Sequence, residues 1–506
     1  MDRRKSVLNV SVSVGFKIIT MVMVILVKRF LIHTCGNDIN GLNALYLSVI
    51  GVLSVVELGV GGAITFCMYR PIVEGDHDTV SALYHLFRKI YLLIGAVIFL
   101  CGLALIPFIH VIAKDYEQLD VNLGFTFFLM LTSVVLTYLY SSKTSLINAY
   151  KNNYITTAIS SSGLIAQYVL QIVVLVLTRS FVWYLVCRIV AVIAQWIATD
   201  IVARKKYQPV LNNVQKINGP VKRELIKNIK AMFMHKVGYI LVNSVDSVII
   251  STFVGIAALG KYSNYLTILT SVTELIKLCF TSLTSVFGHL YVEADGATTR
   301  KYSEVFHLFN FALGAVFFLG YYSIIDYLVA ILFSAELIVA KTISFAITLN
   351  GFVQFMRQST LAFREATGMF YNDRWKPLFE GLMNLALSVF FVKRIGLVGV
   401  ILATTVTNLL ICHVVEPYVL YKHAFGSSPA TYYVKNYSMI GLFLLGLLCM
   451  SSLRISLQNP WAGLLVNGSI SVGISLVLLA IVCGMNISVV KRIGMALAQK
   501  KKKSQC

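Results

Sequence analysis

The chain has 506 residues, of which 58% are hydrophobic and 13% charged, with a mean hydropathy of +0.78. A soluble protein of this length needs far more polar surface, and continuous apolar blocks exclude the alternating pattern of a transmembrane barrel. The formal net charge of +21 suggests nucleic acid in a soluble protein, whereas here its placement follows membrane topology.

The first block, "VGFKIITMVMVILVKRF" (residues 14–30), carries Lys17, Lys28 and Arg29 inside a segment apolar enough for lipid. The preceding "MDRRKSVLNVSVSV" lacks a small-x-small cleavage site, so it reads as a retained first helix. Thirteen further blocks follow, each near the ~20 residues that cross hydrocarbon. The fourteen centre near Met21, Val55, Ala96, Thr132, Gln167, Ala191, Asn243, Ser271, Leu319, Gly351, Leu387, Val406, Leu444 and Val472. The tenth and eleventh are the weakest, interrupted by Arg357, Arg364 and Pro377.

With the N-terminus placed in the cytoplasm, cytoplasmic segments hold more than three times as many of the 43 Lys and Arg residues as external ones. Both termini are then cytoplasmic. The expected organisation is an N-terminal lobe (1–203), a basic linker (204–230), a C-terminal lobe (231–425), two extra helices (426–485) and a basic tail (486–506). Two fragment pairs indicate an internal duplication of the same topology. "GLNALYLSVIG" from Gly41 aligns with "GKYSNYLTILT" from Gly260 at an offset of 219, matching Tyr46 with Tyr265. "YKNNY" from Tyr150 aligns with "FYNDR" from Phe370 at 220.

Nine cysteines are scattered singly, with no CxxC or Cys/His spacing for zinc. No nucleotide-binding or hydrolytic motif is present, and 204–230 is too short for a catalytic domain. The chain reads as a secondary transporter or flippase and not as an enzyme, with no cofactor and no metal expected.

Four stretches carry a family resemblance. Residues 41–69, "GLNALYLSVIGVLSVVELGVGGAITFCMY", followed by "GDHDTVSALYHLFRKIY", resemble the second helix and first cytoplasmic loop of Wzx-type polysaccharide flippases of the MATE-like MOP superfamily. "LVNSVDSVIISTFVGIAALGKYSNY" is similar to their seventh helix, and "REATGMFYNDRWKPLFEGLMNLALSVFFVKRIGLVGVILATTV" to their tenth-to-twelfth region. The resemblance implies an all-α polytopic membrane protein of about fourteen helices, with two six-helix lobes around a cavity and two C-terminal helices. It implies alternating-access translocation of undecaprenyl-pyrophosphate-linked oligosaccharide across the bacterial cytoplasmic (inner) membrane, for capsule, O-antigen or exopolysaccharide. Partners are then that lipid-linked glycan, membrane lipids, and a polymerase and glycosyltransferases. Two alternatives stay open: a lipid II flippase and a cation-coupled multidrug exporter of the MATE type.

Charges inside spans are the candidate site, because each is expensive in hydrocarbon. Lys17 and Lys28 are eleven residues apart, about 20° of rotation and ~16 Å of rise, hence on one stripe suited to a pyrophosphate. Lys28 and Arg29 equally suit snorkelling. Arg188 either joins this cationic surface or pairs with a carbonyl or acid of its own lobe. Lys277 pairs with Glu274 at i,i+3 or meets substrate. Asp246 suits proton or sodium coupling, or an interlobe pair. Glu57 has the same alternatives, a basic residue of the first helix being its structural partner. Asp200 is expected to pair with Arg204 at an interface, and Glu380 and Glu416 are read as interfacial in the same way. Tyr46, Tyr138, Tyr140, Tyr150, Tyr265, Tyr321 and Tyr322 are read mainly as an interfacial belt.

Overall fold

The computed structural model describes residues 3–57, 60–213, 244–369 and 372–487, with 489 and 491, and describes side chains from Gly15 onward. The centre expected near Asn243, much of the basic linker and most of the basic tail lie outside these residues. The described residues are almost entirely helical and contain no strand. Lipid offers no partner for backbone N–H and C=O groups, so each crossing segment must close its own hydrogen bonds as a helix.

The first compact unit is Met1–Ser263. It contains α1 (Arg3–Cys35), α2 (Asn37–Leu53), α3 (Val60–Glu74), α4 (His77–Leu105), α5 (Leu123–Val135), α6 (Tyr138–Ala149), α7 (Asn153–Thr178), α8 (Phe181–Asn212) and α9 (Ser244–Phe253). It also takes in the first two turns of α10 (Ile256–Glu293). Within it, α1 packs along α7 and α7 along α8. Helix α8 runs on to Asn212, into the stretch expected as linker.

The second unit, Asn264–Cys506, holds the rest of α10, then α11 (Gly296–Leu332), α12 (Lys341–Met356), α13 (Gln358–Thr367), α14 (Lys376–Thr407), α15 (His413–His423), α16 (Ala430–Leu453) and α17 (Pro460–Met485). Helix α11 is central, packing against α12, α16 and α17.

Nine stretches among the described residues are long and apolar enough to cross a membrane. One of them, Lys376–His423, would run ~70 Å as a single rod, more than twice the hydrocarbon thickness. The backbone breaks it at Ile395 and at Gly396, whose φ of +59° favours glycine, so it forms two segments. The α2–α3, α5–α6 and α12–α13 pairs each form one interrupted segment. Counted so, the elements group into the fourteen segments that hydropathy indicated. The multi-pass all-helical membrane architecture is therefore as expected. Arg357 stands at the α12–α13 break and Pro377 in the first turn of α14, where a missing N–H costs nothing.

The 219-residue offset recurs in the backbone. Asp76 caps α4 by accepting from the Thr79 N–H, and Asp295 caps α11 by accepting from the Thr298 N–H. Gly36 (φ +91°) opens α2, and Gly255 (φ +123°) opens α10. In each unit a tyrosine at the matched position ties one helix to the start of another: Tyr46 donates to the Leu123 carbonyl at α5, and Tyr265 accepts from the Val339 N–H ahead of α12.

Within the first unit, α2 crosses the opening of α10 with Gly41 and Gly260 in contact. A Cβ on Gly41 would overlap the Ile256 carbonyl, and one on Gly260 the Asn37 carbonyl. Asn37 donates to Ala257 O (2.9 Å) and Asn40 to Gly260 O (3.1 Å) across the crossing. Small residues plus side-chain amides are the means by which helices associate in lipid, where apolar burial between helices is nearly neutral.

Candidate functional site

Helix α1 is unbroken from Arg3 to Cys35, so Lys17 and Lys28 keep the helical spacing that defines one stripe. Lys17 is half-buried and Arg29 exposed. Lys28, also half-buried, does not end in water: its Nζ donates to Ser263 Oγ at 2.9 Å. That hydroxyl donates to Gly260 O and accepts from Asn40, so Lys28 is built into the α2–α10 crossing. Snorkelling is therefore not the arrangement adopted by Lys28.

Arg188 lies half-buried in α8 and makes no ion pair among the described residues. Its electrostatic neighbours are the phenols of Tyr168 on α7 and Tyr184 one turn earlier on α8. Glu57 closes a short 3-10 turn between α2 and α3. It accepts from Tyr91 Oη at 2.8 Å, so a tyrosine takes the place expected for a base of the first helix. Asp246, half-buried on α9, has Tyr262 beside it. Glu274 and Lys277 form the expected i,i+3 pair at 3.1 Å, both about half exposed.

Asp200 pairs with Arg204 at 2.7 Å as expected, and also receives Lys143 of α6. Glu380 and Glu416 correct the interfacial reading. Their side chains are only 8% and 1% exposed, and they belong to a buried quartet with Arg357 and Lys376. Arg357 grips Glu416 with two bonds, Nη2 to Oε1 at 2.6 Å and Nε to Oε2 at 3.2 Å, the fork geometry specific to guanidinium. Lys376 Nζ reaches Glu416 Oε1 at 2.6 Å and Glu380 Oε2 at 2.9 Å. Arg357 Nη1 also donates to Asn408 Oδ1 at 2.6 Å. Asn408 opens the single π-helical turn Asn408–Cys412. The α12–α13 break, the start of α14, the π turn and α15 are thus fastened by a set of two positive and two negative charges.

Five of the seven tyrosines correct the belt reading, whereas Tyr140 and Tyr150 are half-buried. Tyr46, Tyr265 and Tyr322 are fully buried, and Tyr138 and Tyr321 nearly so. Tyr265 Oη donates to Asp326 Oδ1 at 2.6 Å, and Tyr321 Oη to Tyr265 O at 3.0 Å. Their hydroxyls are occupied by helix-to-helix bonds. Among the described residues no cluster of His, Cys, Asp and Glu is placed to hold a metal ion, and seven cysteines are free thiols.

No protein-family model matches the chain, and no curated protein matches its sequence. Solved structures do match in fold. A lipid II flippase in an inward closed conformation, at 12% identity, aligns over 95% of this chain and 100% of its own with a TM-score of 0.66. An inward-facing multidrug resistance MATE family transporter of the MOP superfamily, at 12% identity, aligns over 86% and 98% with a TM-score of 0.65. A MOP superfamily transporter from Pyrococcus furiosus, at 13% identity, aligns over 88% and 97% with a TM-score of 0.52. The chain has the fold of MOP superfamily transporters and flippases; these three neighbours are carriers, none an enzyme.

Proposed function

We propose that this protein is a flippase that moves an undecaprenyl-pyrophosphate-linked oligosaccharide from the cytoplasmic to the outer leaflet of a bacterial inner membrane, by alternating access, with both termini in the cytoplasm. The observation that carries the substrate class is Arg188, a half-buried arginine in a membrane helix with no acidic partner among the described residues. A guanidinium there is costly unless an anion arrives to pair with it, and phosphate oxygens match its donor fork. Lys17, on α1 of the same unit, adds positive charge. A cation-coupled drug exporter needs the opposite balance.

A second reading, lipid II as substrate, has its own support. The lipid II flippase aligns over 95% of this chain and the MATE transporter over 86%. Both substrates share the prenyl-pyrophosphate carrier. Two negative charges moving toward the positive outside gain about 4–5 kcal/mol per 100 mV, and a proton or sodium ion at Glu57 or Asp246 would add to that drive.

The test is depletion of the protein followed by analysis of lipid-linked intermediates. The expected result is an undecaprenyl-linked repeat unit accumulating on the cytoplasmic side. Accumulation of lipid II selects the second reading. Unchanged intermediates with lost drug resistance overturn both.

A further inference from the structure

The last two helices create a recess that the transport reading does not use. It is a small surface recess in the second unit, lined among others by Arg300, Glu304 and His307 of α11, Tyr421 of α15, and Tyr432 and Lys435 of α16. Asn486, just beyond α17, completes its wall. Arg300 lies four residues into α11 and Lys435 five residues into α16, about 6–8 Å from the helix ends. Both cations therefore lie near helix ends and away from the middle of either helix.

The lining charges do not cancel. Glu304 accepts from Arg300 Nε at 3.2 Å and lies 3.9 Å from Lys435 Nζ. Two cations against one carboxylate leave one positive charge among the lining side chains. One phosphodiester would neutralise it, with the remaining guanidinium N–H groups and the loosely held ammonium as donors.

His307 supplies an independent sign of a ligand. It is 5% exposed and lines the pocket. Its Nδ1 is 2.9 Å from Ser359 Oγ, while its buried Nε2 has no partner. Ser359 Oγ is farther from Met356 O, at 3.4 Å, so its proton is better donated to Nδ1. That tautomer leaves Nε2–H as a donor awaiting an acceptor.

The surroundings favour a lipid. Tyr421, Tyr432 and Met439 give the recess an apolar wall, and Val434 beside Lys435 is 70% exposed on a membrane helix. Basic recesses between transmembrane helices are headgroup sites for anionic lipids.

We infer that this recess between α11, α15, α16 and α17 binds the phosphate of an anionic phospholipid headgroup. The lipid would clasp the last two helices to α11, independently of which substrate is carried. The test is thermal unfolding of the full-length protein in detergent with dihexanoyl phosphatidylglycerol, dihexanoyl phosphatidylcholine or inorganic phosphate. Phosphatidylglycerol should raise the midpoint of the wild type, with the half-maximal concentration shifted about tenfold upward in R300Q/K435Q. K435Q alone, which gives up only a 3.9 Å contact, should show a smaller shift and carries the test if the double variant does not fold. Equal stabilisation by phosphatidylcholine, or by inorganic phosphate, overturns the lipid assignment. An unaltered phosphatidylglycerol response in the variants overturns the site.

Discussion

Glu416→Gln is the sharpest perturbation of the second unit. The side chain is 1% exposed, and its two oxygens receive two bonds from Arg357 and one from Lys376. Glutamine keeps the shape but removes the charge, leaving Arg357 and Lys376 to share Glu380 alone. Removing one partner from a buried ionic group costs about 3–5 kcal/mol, because the survivor stays desolvated. For a cooperative unit of this size, each kcal/mol lowers the midpoint by about 2–4 °C, so the expected loss is about 6–20 °C. Arg357→Gln should cost a similar amount, since it leaves two carboxylates facing Lys376. The double variant R357Q/E416Q is the decisive arm. It restores neutrality through Lys376 and Glu380, 2.9 Å apart, and the two amides can bond to each other. Its cost should fall below the sum of the single costs by more than about 1 kcal/mol. Thermal unfolding of the purified variants in lipid nanodiscs measures all three. A single-variant loss under about 1 kcal/mol, or strict additivity, would refute the view of the quartet as one interdependent charge set.

Arg188→Ala, at unchanged membrane level, should slow lipid flipping about 10–100-fold, the worth of a charge-assisted contact; undiminished flipping removes Arg188 from the substrate path. Arg454→Gln should lower thermal stability by about 3 kcal/mol, because Arg454, 5% exposed, pairs with Asp326 at 2.8 Å and lies over the rings of Tyr322 and Tyr327; an unchanged midpoint contradicts this. Asp76, outside the spans, has its carboxyl held below the usual carboxylate range by the Thr79 hydroxyl and N–H. A lowered folded-state pKa gives stability that is present above the unfolded value and lost as pH falls through the folded one. The difference between wild type and Asp76→Asn should therefore hold steady near neutrality and shrink below about pH 4, as followed by thermal unfolding across pH; a difference that grows on acidification rejects the assignment.

The fold was legible because the requirement it reflects is local. A crossing helix needs a continuous apolar run, and hydropathy alone finds such runs. The pairs Glu274–Lys277 and Asp200–Arg204 were legible for the same reason, since helical geometry brings i,i+3 and i,i+4 side chains together. The quartet was not. Arg357, Lys376, Glu380 and Glu416 span sixty residues and four helical pieces, and only Lys376–Glu380 has a helical spacing. A sign was nonetheless present: Arg357, one member of the quartet, is among the residues that interrupt the two weakest spans. Charges that interrupt an apolar run must find one another or a ligand. The tyrosines escaped for another reason, as composition cannot distinguish a phenol at an interface from one bonded between helices. In the duplication, the Tyr46–Tyr265 match was visible as sequence, whereas the Gly36–Gly255 match has meaning only once both show positive φ.

The role of α16 and α17, left open by the sequence, follows from how helices associate in lipid. Apolar contact supplies little preference for a neighbour over an acyl chain, so an added helix pair stays in place through polar bonds or close small-residue packing. Helix α16 has polar bonds to the second unit near both of its ends. At one end Arg454 meets Asp326, Tyr327 donates to Ile455 O at 2.7 Å, and Tyr322 Oη lies 3.0 Å from Ser451 Oγ. His413 bridges Val353 O and, in the second turn of α16, Asn436. Near the other end Tyr432 bonds Thr360. Asn436, His413, Thr360 and Tyr432 are all buried, so none of these bonds can be exchanged for water without opening the unit. His413 is next but two to Glu416 on α15, so the helix that α16 bonds also carries one member of the quartet.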